Sequence, residues 1–129
     1  MNKDFEILRI NERNLNGRVY AKNIIKENIG RIGDKPIYGK IGMCDSIDLD
    51  LSEVSHIVTK LRLEENKMIG CISVMDNENG NRLIKMIEDE QVVFRPQGEG
   101  KCDKVGNIKN FKLLSVNAIS KDEDAFGEK

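Results

Sequence analysis

Two alternating apolar runs joined by a short polar turn constrain this chain more than anything else in it. Val54 to Leu63 alternates, with Ile57, Thr59, Leu61 and Leu63 set for one face and Val54, His56 and Val58 for the other. A period of two is that of a strand, because successive side chains point to opposite faces. Glu64-Glu65-Asn66-Lys67 supplies turn chemistry, and Met68 to Met75 forms a second strand-like run. Runs this close in sequence predict an antiparallel hairpin. A lone hairpin is marginal in water, so the remaining residues must cover it.

Phe5 to Ile10, Ile37 to Ile41, Gln91 to Phe94 and Phe111 to Ile119 are the further candidate strands. Ala21 to Ile29 sets Ile24, Ile25 and Ile29 on one helical face, with Gly30 as the expected stop. Asn81 to Glu90 carries Leu83, Ile84 and Ile87 at helical spacing. Asn11 to Gly17 and the Gly-rich Gln97 to Asn107 read as loops. The predicted architecture is a single α+β domain over residues 1–119, a mainly antiparallel β-sheet or barrel flanked by short helices. Residues 120–129 read as a charged C-terminal tail, mobile or partner-bound, with Phe126 as the anchor it offers a partner.

Composition narrows the function. The 129 residues suit one core, and a formal net charge of −1 argues against sequence-specific nucleic-acid binding. No apolar run reaches the roughly 18–20 residues that would span a bilayer, and Met1 to Ile10 lacks a signal peptide's apolar stretch. Cys44, Cys71 and Cys102 form no close pair, so neither a disulfide framework nor a metal site is expected.

Other motifs fail on inspection. Gly98-Glu99-Gly100-Lys101 resembles a phosphate loop, but Arg95 and Cys102 stand where Gly and Ser or Thr are required. Asp76, Glu78 and Gly80 resemble a calcium loop, but Gly falls one place early and the twelfth position is Ile87. No cofactor is expected. His56, the single histidine, is the only candidate base, with Ser52 or Ser55 as its hydroxyl. Alternation should turn Ser55 away from it, so a packed strand histidine is expected.

One arrangement is more specific. Asn14-Leu15-Asn16-Gly17-Arg18-Val19-Tyr20-Ala21-Lys22 runs straight into a predicted helix. It resembles the N-x-N-x-R-(V/L/I)-Y-P-(K/R) motif of the prohead (head-maturation) proteases of T4-like and related tailed phages, with Ala21 in place of Pro. Gly39 to Asp45 sits where that family has G-E-L-x-H-P. Val54-Ser55-His56-Ile57-Val58 is similar to its V-S-H-x-I stretch. Gly80 to Ile87 resembles its second helix, Val92 to Gly100 takes the place of G-V-S-S-R-G-x-G, and Leu113 to Ile119 resembles its closing strand. The resemblance covers about residues 5–119, in order, and implies a fold similar to the herpesvirus assemblin proteases.

The resemblance also implies a lost reaction. The family's histidine falls on Met43, its serine nucleophile on Arg95 and the next serine on Pro96. Gln97 replaces an arginine, while Gly98 and Gly100 keep the glycines of an oxyanion-binding turn. A serine is a poor nucleophile until an imidazole takes its proton, and here neither group stands in its place. The chain is therefore expected to be a non-enzymatic virion structural protein, an auxiliary capsid or head-assembly protein made in the host cytoplasm. Its implied partners are the major capsid protein or other head proteins, with self-association a further option. Two alternatives stay open: a maturation protease with a rearranged serine site, and a regulatory binder of capsid precursors.

Overall fold

The computed structural model describes residues 2–42 and 50–127. Within them the elements run β1 (Asn2–Arg9), α1 (Lys22–Ile32), β2 (Ile37–Lys40), β3 (Val54–Glu64), β4 (Lys67–Val74), α2 (Glu78–Glu88), β5 (Val92–Cys102) and β6 (Ile108–Ser120). β1, β4, β3 and β2 form a four-stranded antiparallel sheet in that order, and β5 and β6 form a separate antiparallel ribbon. The predicted hairpin is the β3–β4 pair, turning at Glu65 and Asn66.

The barrel expectation is corrected. The ribbon lies against both β1 and β2, yet a single parallel bridge, Ile41 to Ala118, joins it to the β2 side. On the β1 side, the carbonyls of Glu6 and Ile7 accept from the side chain of Arg95. Among the described residues no hydrogen-bonded ladder closes a ring.

Three extra residues in the four-stranded sheet decide which of its side chains reach the core. Ile7 of β1 lies between Glu6 and Leu8, which pair with the consecutive residues Ile69 and Met68. Ile7 and Leu8 are consequently both fully buried. On β3, Ser55 is extra opposite Gly39–Lys40, and Thr59 is extra opposite Cys71–Ile72. One inserted residue exchanges the faces of everything after it. Val54, His56 and Val58 face inward before Thr59, and Leu61 and Leu63 pack against the core after it. Sequence alternation had set those two groups on opposite faces.

α1 runs past Gly30 and ends at Gly33, whose φ is +58°. The extra turn buries Ile32, and burying an isoleucine, at about 1.5–3 kcal/mol, outweighs the roughly 1 kcal/mol cost of an interior glycine. Asn28, also buried, fastens α1 to β6. Its Nδ2 donates to the Phe111 carbonyl (3.0 Å), and its Oδ1 accepts from the Leu113 N–H (2.8 Å). At the centre of the core, the Phe94 ring lies 4.6 Å from that of Phe5 and meets His56 edge-on at 5.1 Å.

The Asn14–Lys22 motif is a built loop. Asn14 Oδ1 accepts from the N–H groups of Asn16 (3.0 Å) and Arg18 (2.9 Å). Val19 then bridges to Asn107 beyond the ribbon's turn. Ala21 caps α1 without a side-chain hydrogen bond.

Candidate functional site

His56 lies at the inner face of β3 opposite Gly39 of β2. Its Nε2 is 2.7 Å from the Val116 carbonyl oxygen of β6. A carbonyl only accepts, so Nε2 carries the proton and Nδ1 is left as an acceptor. The Ser55 hydroxyl, 2.8 Å away, donates to Nδ1. The expected opposition of Ser55 and His56 is therefore corrected. Ser55 is the extra residue of the strand, and a bulge re-aims the side chain that carries it.

This is a hydroxyl beside an imidazole acceptor, the first requirement of a serine nucleophile. The second, access to a carbonyl, is not met at this pair: both residues are 0% exposed. Burial pushes the His56 pKa down to about 4, against a smaller opposing effect from the Val116 hydrogen bond. Gly39 completes the packing. A Cβ there would lie 1.9 Å from the Val116 oxygen and 2.3 Å from His56 Nε2.

Arg95 and Pro96 are consecutive on β5. Arg95 is 6% exposed. Its Nε donates to Asp124 Oδ1 (2.6 Å) and its Nη2 to Asp124 Oδ2 (2.9 Å). Its Nη1 donates to the carbonyls of Glu6 (2.9 Å) and Phe94 (3.0 Å), and Glu6 Oε2 lies 3.6 Å from Nη2. A planar fork facing a carboxylate is the geometry that guanidinium favours. Arg95 holds Asp124 below the usual carboxylate range against the opposing cost of burial.

Phe126 is corrected as well. Expected as an exposed anchor for a partner, it is 7% exposed and belongs to the chain's own core. Its ring centroid is 5.5 Å from the Arg95 guanidinium carbon and 5.9 Å from that of Arg9. Residues 120–127, read as tail, turn back over the ribbon because Arg95 requires a buried counter-charge, and Asp124 supplies it.

Gly98 and Gly100, expected in a loop, lie within β5. A Cβ on Gly98 would meet the Lys112 carbonyl at 2.3 Å, and one on Gly100 the Asn110 carbonyl at 2.2 Å. Close backbone approach inside the ribbon accounts for both. Gln97 accepts at Oε1 from Asn117 Nδ2 (2.6 Å), while Asn117 Oδ1 accepts from Ser115 Oγ (2.8 Å) and the Lys40 N–H (3.1 Å). Ser52 Oγ donates to Asp50 (2.8 Å) rather than to His56. Met43 lies outside the described residues.

Asp124 and Asn117 escaped sequence reasoning. The signal for Asp124 was Arg95 itself, a charge closing the apolar run Val92-Val93-Phe94, because arginines are almost never fully buried unpaired.

The element order, the paired sheets and the two flanking helices define a mixed α/β fold of the phage capsid-protease kind. A solved structure with this fold is the bacteriophage T4 capsid assembly protease gp21, to which this chain is similar with a TM-score of 0.75 and 19% identity. The likeness covers 92% of this chain and 80% of that one. At that identity what is shared is the fold. No protein-family model and no curated protein matches the chain.

Proposed function

We propose that this chain is a phage head-assembly protein that binds head components without cleaving them, an auxiliary capsid protein built on a protease-like fold. The observation that carries the reading is the fate of Arg95. It stands where the resemblance puts the nucleophile, and its guanidinium donates to Asp124 and to the main-chain carbonyls of Glu6 and Phe94, with the Glu6 carboxylate beside it. A guanidinium so engaged neither attacks a carbonyl nor takes a proton. The burial of His56 points the same way. The fold shared with a capsid assembly protease favours the major capsid protein or another head protein as the partner, and the mature virion as the destination.

The test is incubation of the purified chain with the scaffold and capsid proteins of its phage. The reading expects co-sedimentation with assembled shells, the chain among the proteins of purified virions, and no new fragments. Virions lacking the chain would instead favour the regulatory binder.

A second reading has one observation in its favour: Ser55 and His56 are hydrogen-bonded at 2.8 Å. On that reading the chain is a maturation protease with a rearranged site that opens when substrate binds. It expects fragments that disappear in the Ser55→Ala variant.

A further inference from the structure

Residues 124–126 are held by the body of the protein as a bound peptide would be. The Asp124 carboxylate fills the Arg95 fork. The Ala125 carbonyl accepts from the Leu15 N–H at 2.7 Å, in the loop before α1. The Phe126 carbonyl accepts from Arg9 Nη1 at 3.1 Å, at the end of β1. The Phe126 ring is buried under both guanidinium groups. One short stretch is thus read by three elements distant in sequence, through a charge, two main-chain carbonyls and an aromatic ring. Main-chain bonds that give affinity, with side-chain pockets that give choice, are the physics of peptide recognition.

The site is larger than its occupant. An open recess of about 210 Å³ continues beside Ala125, lined by Asn14, Asn16, Tyr20 and Pro96. The occupant is also weakly tied to what precedes it. Lys121, Asp122 and Glu123 are exposed and form one 3-10 turn, without a strand ladder. Release therefore breaks the contacts of residues 124–126 and leaves β6 intact.

We propose that the surface formed by Arg95, Arg9 and the Leu15 main chain, with the open recess beside it, is a recognition site for a peptide bearing an aspartate followed two residues later by an aromatic side chain. The chain's own Asp124-Ala125-Phe126 fills it in cis, and a segment of the same chemistry on another polypeptide binds there by displacing it. The proposal rests on this geometry alone and does not depend on whether the chain cuts peptide bonds.

The test uses the full chain with Asp124→Asn and Phe126→Ala, which weakens the internal occupant. The probe is a fluorescent, end-blocked peptide of Ser120–Gly127 sequence, followed by anisotropy. The variant should bind it saturably, at least about tenfold more tightly than the wild-type protein, whose tethered segment competes at millimolar effective concentration. A probe carrying the same two substitutions should lose at least about tenfold in affinity. If the double variant does not fold by circular dichroism, the same titration on the full chain with Phe126→Ala decides. Absence of binding to a folded variant, or equal binding of both probes, would overturn the proposal.

Discussion

Arg95 and Asp124 face each other as fork and carboxylate, Nε to Oδ1 at 2.6 Å and Nη2 to Oδ2 at 2.9 Å, each side chain 7% exposed. Twenty-nine residues separate them. The pair is what turns a charged segment back onto the ribbon.

Removing one partner leaves the other charged and buried. Arg95→Ala should therefore destabilise the protein by about 3–5 kcal/mol, and Asp124→Ala by a similar amount. The double replacement should cost less than the sum of the two, which equilibrium urea unfolding of all four proteins measures as a coupling energy. Arg95→Ser restores the hydroxyl of the family motif. It should destabilise the fold in the same way and release no fragments from scaffold or capsid protein.

Stability should fall in two acid windows. The His56 pKa is lowered from 6.5 to about 4 in the fold. Above pH 6.5 both the folded and unfolded forms are neutral there. Between 6.5 and 4 the unfolded chain takes up a proton that the folded chain refuses, so stability drops with pH, by about 3 kcal/mol in all. Asp124 is depressed below its ordinary 3.8, so its contribution is present above that value and is lost as pH falls through the lower, folded value. Urea unfolding from pH 7 to pH 4 checks the first window. His56→Gln should flatten it.

Gly39→Ala should be among the most damaging single substitutions. The added methyl group would overlap the Val116 carbonyl and the His56 ring, both held in place by their mutual hydrogen bond. Overpacking costs typically 1–3 kcal/mol, and the loss of that bond adds to it. The expected readout is a lowered urea midpoint with an unchanged slope.

Asn28 offers a sharper contrast with sequence expectation. Asn28→Leu keeps the branched shape and extends the apolar face of the helix, yet strands the Phe111 carbonyl and the Leu113 N–H. A buried unsatisfied group costs about 1–3 kcal/mol, so this substitution of a polar residue by an apolar one should destabilise. Thermal melting followed by circular dichroism checks it.

These residues also show what the sequence could and could not convey. The β3–β4 hairpin was legible because alternation and a polar turn are local signals. Ser55 and Thr59 were not legible as extra residues, because a bulge depends on what the partner strand offers. Hence Leu61 and Leu63 were separated from Val54, His56 and Val58, with which they share the core, and Ser55 was turned away from the imidazole it bonds. Gly98 and Gly100 read as loop chemistry, although the backbone of β6 is what excludes a side chain there. Asp124 and Phe126 read as tail because their partners, Arg95 and Arg9, are remote in sequence. The Asn14 turn was legible because its hydrogen bonds to Asn16 and Arg18 are local, whereas the bonds of Leu15 to Ala125 and of Val19 to Gly106 and Ile108 join residues remote in sequence and were not.

The function proposed above makes Ser55 and His56 a structural pair and leaves no activated nucleophile among the described serines. A fluorophosphonate probe tests it directly, because it phosphonylates, with loss of fluoride, a serine whose proton an adjacent base removes. Intact-mass spectrometry after incubation at pH 7.5 should show the chain unmodified. An adduct at one serine, abolished by His56→Gln, would contradict the account.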